Sequence, residues 1–327
     1  MPKVLITTVP FADKNRLPLE QLEAAGIEYV INPLNKKLTE NELANMISDF
    51  DAIIAGTEII SDLVMDKAKK LKLISRVGIG LDSVDLLAAE NRGIKVAYTP
   101  DAPAPAVAEL TIGIIITLLR SVHLSNIQMH NGRWKRHFGK RISETTIGII
   151  GLGRIGTRVL NRIYSLGTPR LLLNDLHPNP ELDRKFKLEW ADKETIYKDS
   201  DVISIHVPLT NSTNNMVTKK ELEIMKSDAI IINTSRGGII NEEDLYNVMN
   251  SGHLSGAAID VFENEPYDGK LNQIDNCLLT SHMGSMSIDC RVRMEIEATE
   301  DVIRFLQGKP LNKEVPIEEY ESRKQGF

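Results

Sequence analysis

The sequence predicts an α/β protein that contains two doubly wound parallel sheets. Short apolar runs alternate with helical patterns through both halves of the chain, which is typical of parallel strands connected by helices. Pro100, Pro103 and Pro105 interrupt this alternation and indicate a hinge between the halves. A length of 327 residues, 42% of them hydrophobic, suggests about two domains with a core each.

The first half is predicted to contain five strands. One helix between them begins with a capping box, Thr39-x-x-Glu42, and another stops at Gly93. The predicted strands are 4–7, 28–31, 52–55, 73–77 and 95–98.

The second half opens with a predicted long helix over about 106–131 and continues with six predicted strands. Asn241 caps one of the intervening helices. A last helix, over about 287–307, is expected to return to the first domain, because the second sheet is complete before it. The predicted domains are therefore 1–100 with 286–327, and 101–285. The six strands are 147–150, 171–174, 202–207, 230–234, 257–261 and 278–280.

A glycine motif follows the first of these six strands. In Gly-Leu-Gly-Arg-Ile-Gly, Gly151 makes a tight turn, Gly153 lets the backbone approach a pyrophosphate, and Gly156 lets the next helix pack closely on the strand. Asp175 ends the next apolar run, roughly 20 residues further on, where a carboxylate accepts the ribose hydroxyls of NAD and repels the extra phosphate of NADP. The second domain is therefore predicted to be a Rossmann domain that binds NAD.

Loops after three successive predicted strands carry residues suited to hydride transfer between NAD and a hydroxy acid. Arg236 offers a planar fork that binds a carboxylate through two hydrogen bonds. His282 exchanges a proton near neutral pH. Glu263 and Glu265 are both placed to fix the tautomer of this histidine, and spacing alone does not choose between them.

The motifs that carry these residues resemble the D-isomer-specific 2-hydroxyacid dehydrogenases, and the likeness runs over most of the chain. It implies that Arg236 binds the substrate carboxylate, that His282 is the acid/base, and that Glu265 is its partner. The stretches concerned are Gly-Leu-Gly-Arg-Ile-Gly, Asn-Thr-Ser-Arg-Gly-Gly, Asp-Val-Phe-Glu-Asn-Glu-Pro, Thr-Ser-His-Met-Gly-Ser, Arg76-Val77-Gly78-Ile79-Gly80-Leu81-Asp82 and Ala106-Val107-Ala108-Glu109.

The same resemblance implies how cofactor and substrate are held. Asp260 would contact the nicotinamide carboxamide and Asp175 the adenosine ribose, while backbone amides around Val77 and Gly78 would hold the carboxylate from a discontinuous, flavodoxin-like substrate domain. The family forms dimers through its cofactor domains, partly by the long helix, so a homodimer is expected. The expected NAD-binding residues are Gly151, Gly153, Arg154, Ile155, Gly156, Asp175, His206, Val207, Pro208, Thr234, Ser235, Asp260, His282 and Gly284.

The sequence indicates the substrate less precisely than it indicates the type of reaction. Among family members, the sequence is similar to short 3-phosphoglycerate dehydrogenases, and Arg76 stands where those enzymes have an arginine near the phosphate. A second arginine, expected near Thr57, is absent. Glyoxylate or hydroxypyruvate reductase is the alternative activity. A corepressor that senses NAD is the alternative of another class, although such proteins carry extended tails and none is seen here.

Composition disfavours other partners. A net charge of −6 argues against nucleic acid as the main partner. Cys277 and Cys290 form no Cys-x-x-Cys pair, which favours a reducing cytoplasmic compartment. The N-terminus has too short an apolar run for a signal peptide. The apolar stretch 110–119 is far shorter than the roughly 20 residues that cross a bilayer, and is predicted to be a buried helix.

No metal site is expected. His123, His130 and His137 recur every seven residues and are predicted to lie near one helix face, with neighbours roughly 10 Å apart. Ligands of one metal ion lie about 2 Å from it, so these three side chains are too far apart to share one.

Overall fold

The computed structural model describes residues 1–167 and 169–325. Within these residues the strands are β1 Lys3–Ile6, β2 Glu28–Ile31, β3 Ala52–Ala55, β4 Leu73–Arg76, β5 Lys95–Ala97, β6 Thr146–Ile150, β7 Arg170–Asn174, β8 Glu189–Trp190, β9 Val202–Ile205, β10 Ile230–Asn233, β11 Gly256–Ile259 and β12 Cys277–Leu279. The helices are α1 Leu17–Ala24, α2 Glu40–Met46, α3 Asp62–Lys67, α4 Leu86–Asn91, α5 Ala104–Leu119, α6 Val122–His130, α7 Gly156–Ser165, α8 Pro180–Lys185, α9 Lys193–Asp199, α10 Lys219–Glu223, α11 Glu242–Asn250, α12 Ile288–Leu306 and α13 Ile317–Lys324.

The chain divides into two compact units. The first consists of Met1–Pro103 together with the segment that begins at Met286, and the second is Ala104–Ser285. Pro103, which ends the first segment, is one of the three prolines of the predicted hinge.

The first unit is a five-stranded parallel sheet in the order β2-β1-β3-β4-β5. Its core includes Leu5, Ile53 and Ile74, one from each of three neighbouring strands, all almost completely buried. Helix α12 packs on α1, β3 and β4. The order reverses between β1 and β3, and in sheets of this kind ligands bind outside the carboxyl ends of the strands at such a point.

The second unit is a seven-stranded parallel sheet in the order β12-β11-β10-β9-β6-β7-β8. Here the order reverses between β6 and β9. In the register, Ile150 at the end of β6 is paired with Asn174 of β7 and with Ile205 of β9. The residues that directly follow these three strands therefore lie side by side at one edge of the sheet.

The α/β fold with two parallel sheets is confirmed. Every predicted strand is present, with ends that differ by at most two residues, and Thr39 and Asn241 cap their helices as expected. The second sheet has a seventh strand, β8, which the sequence analysis missed. This strand is two residues long and pairs with β7 alone, so it has no periodicity to detect.

The single long helix predicted over 106–131 is wrong. The chain forms α5 and α6, bent by 67°, and Ser121 between them has a left-handed φ of +48°. Helix α5 is well buried, as expected for the apolar stretch, whereas α6 has no buried residue. His137 lies beyond α6 and its Nε2 is 3.0 Å from Gln128 Oε1, so the three histidines do not share a helix face.

None of the described helices alone is long and apolar enough to cross a membrane, although α5 and α6 taken together as a bent pair have the necessary length and composition.

Candidate active site

The glycine motif lies at the carboxyl end of β6, where the strand order of the second sheet reverses. Gly151 has a left-handed φ of +94°, and a Cβ there would lie 2.6 Å from the carbonyl oxygen of His206. A Cβ on Gly156 would lie 1.9 Å from the carbonyl oxygen of Gly151. At Gly153 a Cβ would meet nothing within 4 Å. Packing of the loop therefore requires glycine at two positions, and the third faces open space.

This open space adjoins groups that fit a dinucleotide. Ile155, the N-cap of α7, makes no side-chain cap hydrogen bond, so it does not occupy the first N–H groups of the helix. Asp175 follows β7, and its Oδ2 accepts the N–H of Leu152 at 2.6 Å. Its Oδ1 accepts the N–H of His177 at 2.9 Å. A carboxylate has further lone pairs for ribose hydroxyls, and a pyrophosphate is favoured at the helix N-terminus, beside the exposed Arg154.

The residues after β9 pack against the glycine loop. Val207 packs against Gly151, where a Cβ would come within 2.9 Å of the valine side chain. The carbonyl of Pro208 accepts the hydroxyl of Thr213 at 2.6 Å. His206 Nε2 lies 2.8 Å from Ser204 Oγ, and burial lowers the pKa of His206 to about 3, so its ring is neutral. Residues 206–208 can therefore contact a dinucleotide through their surface and their backbone groups, but they bring no positive charge to it.

The loop after β10 is organised by Asn233. Its Oδ1 accepts the N–H of Ser235 at 3.0 Å and the Ser235 hydroxyl at 2.7 Å, and its Nδ2 donates to the carbonyl of Arg236 at 2.7 Å. The buried Thr234 hydroxyl lies 3.0 Å from the hydroxyl of Thr111 on α5. The Arg236 side chain, which donates from Nη1 to the carbonyl of Ser235 at 2.6 Å, therefore projects from a rigid turn.

Asp260, after β11, holds the loop that carries His282. Its buried carboxylate accepts three hydrogen bonds, from the hydroxyl of Thr280 at 2.6 Å and from the N–H groups of Met283 at 2.8 Å and Gly284 at 2.9 Å. The backbone N–H of His282 donates to the carbonyl of Asp260 at 2.8 Å. A role for Asp260 at the nicotinamide remains a prediction, and its bonding here supports a second role in fixing this loop.

His282 and Glu265 form a hydrogen-bonded pair. The two oxygens of Glu265 lie 2.8 Å and 3.0 Å from His282 Nδ1, so Glu265 rather than Glu263 contacts the ring. One of these oxygens also accepts the N–H of Phe262 at 3.1 Å. His282 has a left-handed φ of +50°, which is uncommon for a side chain of this size and typical of functional positions.

The loops that carry Arg236 and Glu265 are in direct contact. A Cβ on Gly237 would lie 2.1 Å from the carbonyl carbon and oxygen of Phe262, so only glycine allows this approach. The structure therefore brings the loops after β10, β11 and β12 together at one edge of the second sheet.

In the first unit, the predicted substrate residues are Arg76, the last residue of β4, and Val77 and Gly78, which follow the strand. Arg76 is buried and donates from Nε at 3.1 Å and Nη2 at 2.9 Å to the carbonyl of Gly80. The N–H of Val77 donates to the carbonyl of Ala55 at 2.9 Å. The N–H of Gly78 donates to the Thr99 hydroxyl at 2.8 Å. Both amides named from the sequence are therefore already hydrogen-bonded within this unit.

Three residues at these loops were missed by the sequence analysis. Asn233 and Thr280 fix the catalytic loops, and Glu242 accepts the N–H of Glu263 at 2.8 Å. Burial raises the pKa of Glu242 above its usual range, helped by the neighbouring Glu263 and Glu265 carboxylates and opposed by that N–H. A polar residue at a strand end was the available signal for Asn233, since such side chains commonly bond their own turns. In the described part of the chain, no group of three His, Cys, Asp or Glu residues is placed to hold a metal.

Comparisons with known proteins agree with this geometry. The family model described as D-isomer specific 2-hydroxyacid dehydrogenase, NAD binding domain, matches residues 112–284. The hydroxypyruvate reductase of Thermotoga maritima is 36% identical, covering 83% of this chain and 90% of that protein. The D-3-phosphoglycerate dehydrogenase of Methanocaldococcus jannaschii is 35% identical, covering 94% of this chain and 58% of that longer protein.

Among solved structures, the crystal structure of the TT0316 protein from Thermus thermophilus is similar, with a TM-score of 0.87 and 32% identity. That similarity covers 96% of this chain and 100% of the other. The chain therefore belongs to the D-isomer-specific 2-hydroxyacid dehydrogenases, and it is an oxidoreductase that transfers a hydride between NAD and a D-2-hydroxy acid or its 2-keto acid.

Proposed function

We propose that the protein reduces a small, unphosphorylated 2-keto acid with NADH, and that hydroxypyruvate or glyoxylate is its substrate. The contact between Arg76 and the Gly80 carbonyl carries this choice. An arginine that uses Nε and Nη2 within its own loop is poorly placed to clamp a phosphate with the same fork. The relative named hydroxypyruvate reductase supports the same substrate class.

In the proposed reaction, Arg236 binds the substrate carboxylate through its guanidinium fork. Asn233 keeps Arg236 in place, because it bonds both ends of the turn from which the arginine projects.

Bound NADH supplies the hydride that goes to the carbonyl carbon. His282 donates the proton to the carbonyl oxygen from Nε2, since Glu265 occupies Nδ1 and so fixes the tautomer. In the oxidation direction, the same Nε2 takes the proton from the hydroxyl group. Asp260 acts on this step through the loop, because its carboxylate bonds the hydroxyl of Thr280 before His282 and the N–H of Met283 after it.

The test compares hydroxypyruvate, glyoxylate and phosphohydroxypyruvate as substrates, with NADH oxidation followed by absorbance. The parent protein should have its lowest kcat/KM with the phosphorylated acid. Arg76→Ala should not lower kcat/KM selectively for phosphohydroxypyruvate, because Nε and Nη2 of Arg76 are already bonded to the Gly80 carbonyl.

Two results would contradict this proposal. A selective loss on phosphohydroxypyruvate of about ten- to hundredfold in Arg76→Ala is the size expected for a lost charge-assisted contact, and would favour 3-phosphoglycerate as the substrate. NADH binding with no turnover of any 2-keto acid would instead favour an NAD-sensing binding protein.

We further propose that the protein is a cytoplasmic homodimer. Support for the dimer comes from α6 and the segment after it, where Val122 and Met129 are half exposed and Trp134 and Phe138 are almost fully exposed in the single chain. Analytical ultracentrifugation of the parent and of Met129→Asp tests this, with a shift toward monomer expected in the variant. Two buried free thiols, Cys277 and Cys290, are consistent with a reducing compartment.

A further inference from the structure

The chain at Phe262 and Glu263, in the loop after β11, is held by three groups. A Cβ on Gly237 would lie 2.1 Å from the carbonyl oxygen of Phe262 and 2.5 Å from the backbone nitrogen of Glu263, so the loop after β10 packs directly on this peptide. The N–H of Glu263 donates to Glu242 Oε1 at 2.8 Å. The N–H of Phe262 donates to Glu265 Oε1 at 3.1 Å. The loop after β10, the start of α11 and the carboxylate of Glu265 therefore meet at these two residues.

Glu242 differs from the other two acids in the first turn of α11. Glu243 Oε1 accepts from Lys270 Nζ at 2.6 Å, and both of these side chains are more than half exposed. Asp244 Oδ2 accepts the N–H of Lys219 at 2.9 Å. Glu242 is the first residue of the helix, where the helix dipole favours a negative charge. Its carboxylate is bonded to the loop after β11.

The charges that act on Glu242 are mostly negative. Burial raises the pKa of its carboxyl above the usual range, and the Glu263 and Glu265 carboxylates raise it further, against the lowering effect of the Glu263 N–H. Tyr267 also faces Glu242, and burial raises the pKa of this phenol, which stays neutral. Among the described residues Glu242 forms no ion pair, because the lysines on the elements packed against α11 pair with other acids: Lys219 with Glu223, Lys220 with Glu221, and Lys270 with Glu243.

The charge of Glu242 bears on the proton held by its neighbours. Glu265 contacts His282 Nδ1, and a further carboxylate near this pair favours the protonated, positively charged imidazole. A substitution of Glu242 leaves the other charged groups of the surrounding loops and of the neighbouring α5 unchanged: Arg236, Asp260, Glu263, Asp268 and Glu109, which pairs with Arg162. A change in the proton affinity of His282 on such a substitution therefore reports on Glu242.

We propose that Glu242 is a positioning residue for the reaction, which holds the turn that carries Glu265 and whose charge keeps His282 protonated for transfer of its proton to the keto acid. This inference rests on the proposed function, in which His282 donates that proton from Nε2. Glu242 acts through the backbone of Glu263 and through the electric field at the Glu265–His282 pair.

Two substitutions separate the charge of Glu242 from its hydrogen bond. Glu242→Gln keeps a side-chain oxygen that accepts the N–H of Glu263 but removes the charge. Glu242→Ala removes both. The matched control is Glu243→Gln in the same helical turn, which removes an equal charge from a side chain that is paired with Lys270.

The first measurement is an NMR titration of the His282 imidazole in the NADH complex of each protein, with labelled histidine and with His282→Ala to assign the signal. One unit charge about 10 Å from another, at a dielectric constant of about 50, displaces a titration midpoint by about half a pH unit. The midpoint should therefore fall by about half a pH unit in Glu242→Gln and in Glu242→Ala, and by less than about 0.2 in Glu243→Gln.

The second measurement tests the hydrogen bond. Hydrogen exchange of peptides that cover residues 260–266 should accelerate in Glu242→Ala but not in Glu242→Gln or Glu243→Gln. The Kd of NADH should stay within about twofold of the parent in all three variants.

The third measurement is the pH profile of kcat for reduction of hydroxypyruvate by NADH. Reduction requires protonated His282, so kcat falls as the pH rises through the midpoint, and this fall should lie about half a pH unit lower in Glu242→Gln. At low pH, kcat of Glu242→Gln should stay within about twofold of the parent. In Glu242→Ala, kcat at low pH should also fall about tenfold, the lower limit for loss of a hydrogen bond to a charged group.

The role of the charge and the role of the hydrogen bond can each be overturned. A midpoint in Glu242→Gln that equals the parental one, or that is displaced no further than in Glu243→Gln, would overturn the role of the charge. Parental hydrogen exchange in Glu242→Ala would overturn the holding of the turn. Turnover retained in His282→Ala, or absent from the parent with every 2-keto acid, would overturn the proposed function, while the titration and the exchange still decide whether Glu242 acts on His282 and holds the loop.

Discussion

Gly156→Ala should lower the stability of the protein, whereas Gly153→Ala should keep its stability and weaken NADH binding. A Cβ at Gly156 would lie 1.9 Å from the carbonyl oxygen of Gly151, whereas non-bonded heavy atoms prefer about 3.5 Å. Backbone on both sides of the contact must then move. Overpacking costs about 1–3 kcal/mol, and this overlap belongs at the upper end of that range. For a unit of this size, about 3 kcal/mol lowers Tm by roughly 6–12 °C.

Gly153 provides the contrast, because a Cβ there meets nothing within 4 Å and its φ lies outside the left-handed region. Gly153→Ala should keep the Tm of the parent or raise it slightly, since alanine loses less backbone entropy on folding, worth about 0.4–1 kcal/mol. The added methyl group occupies the space that fits the pyrophosphate. The Kd of NADH should therefore rise at least about tenfold, or about 1.4 kcal/mol.

Differential scanning calorimetry and titration of NADH fluorescence measure the two effects separately. If Gly153→Ala bound NADH as tightly as the parent, the open space at Gly153 would not be where the pyrophosphate lies. If Gly156→Ala kept the parental Tm, the reasoning from the close approach to Gly151 would be wrong.

Three further predictions concern the proton donor, the cofactor preference and the pH dependence of stability. His282→Ala should lose about 10²-fold or more in kcat while the Kd of NADH is retained, because the glycine loop and Asp175 hold the cofactor. The parent should prefer NADH over NADPH by at least about tenfold in kcat/KM, and Asp175→Ala should narrow this ratio, because the carboxylate repels the extra phosphate. Burial lowers the pKa of His206 to about 3, so its neutral form stabilises the fold above its usual pKa of about 6.5, and that contribution is lost as the pH falls toward 3. The free energy of unfolding of His206→Gln should accordingly vary less over this range than that of the parent.

Each of these has a clear contrary result. Near-normal turnover in His282→Ala would mean that the proton comes from another group. If the parent had equal kcat/KM with NADH and NADPH, the role assigned to Asp175 in cofactor preference would be wrong. Parallel pH profiles for the parent and His206→Gln would show that the buried ring does not contribute to acid sensitivity.

Local sequence determined most of the fold, because its signals act over a few residues. The apolar runs form strands, the glycine motif follows β6, and Thr39 and Asn241 cap helices as their neighbours in sequence predict. In the site, the positions of Arg236 and His282 at strand ends were predictable for the same reason: parallel strands bring their carboxyl ends to one edge.

Local patterns failed where no period or turn chemistry was available. The two-residue strand β8 is too short to alternate, and the bend at Ser121 occurs within a continuous helical pattern. The family resemblance gave backbone amides around Val77 and Gly78 as contacts for the substrate carboxylate, and this stays a prediction. The structure adds that the N–H of Val77 donates to the carbonyl of Ala55 and the N–H of Gly78 to the hydroxyl of Thr99.

Only the tertiary structure decided which distant residues meet. It placed Glu265 rather than Glu263 on the ring of His282, bonded Asp260 to the loop around that histidine, and brought Glu295 to Ala12. The physical reason is that a hydrogen bond depends on distance and direction to within a few tenths of an ångström. Residue type and spacing along the chain restrict which groups are capable of such a bond, and packing of the strands and helices alone brings two of them within reach.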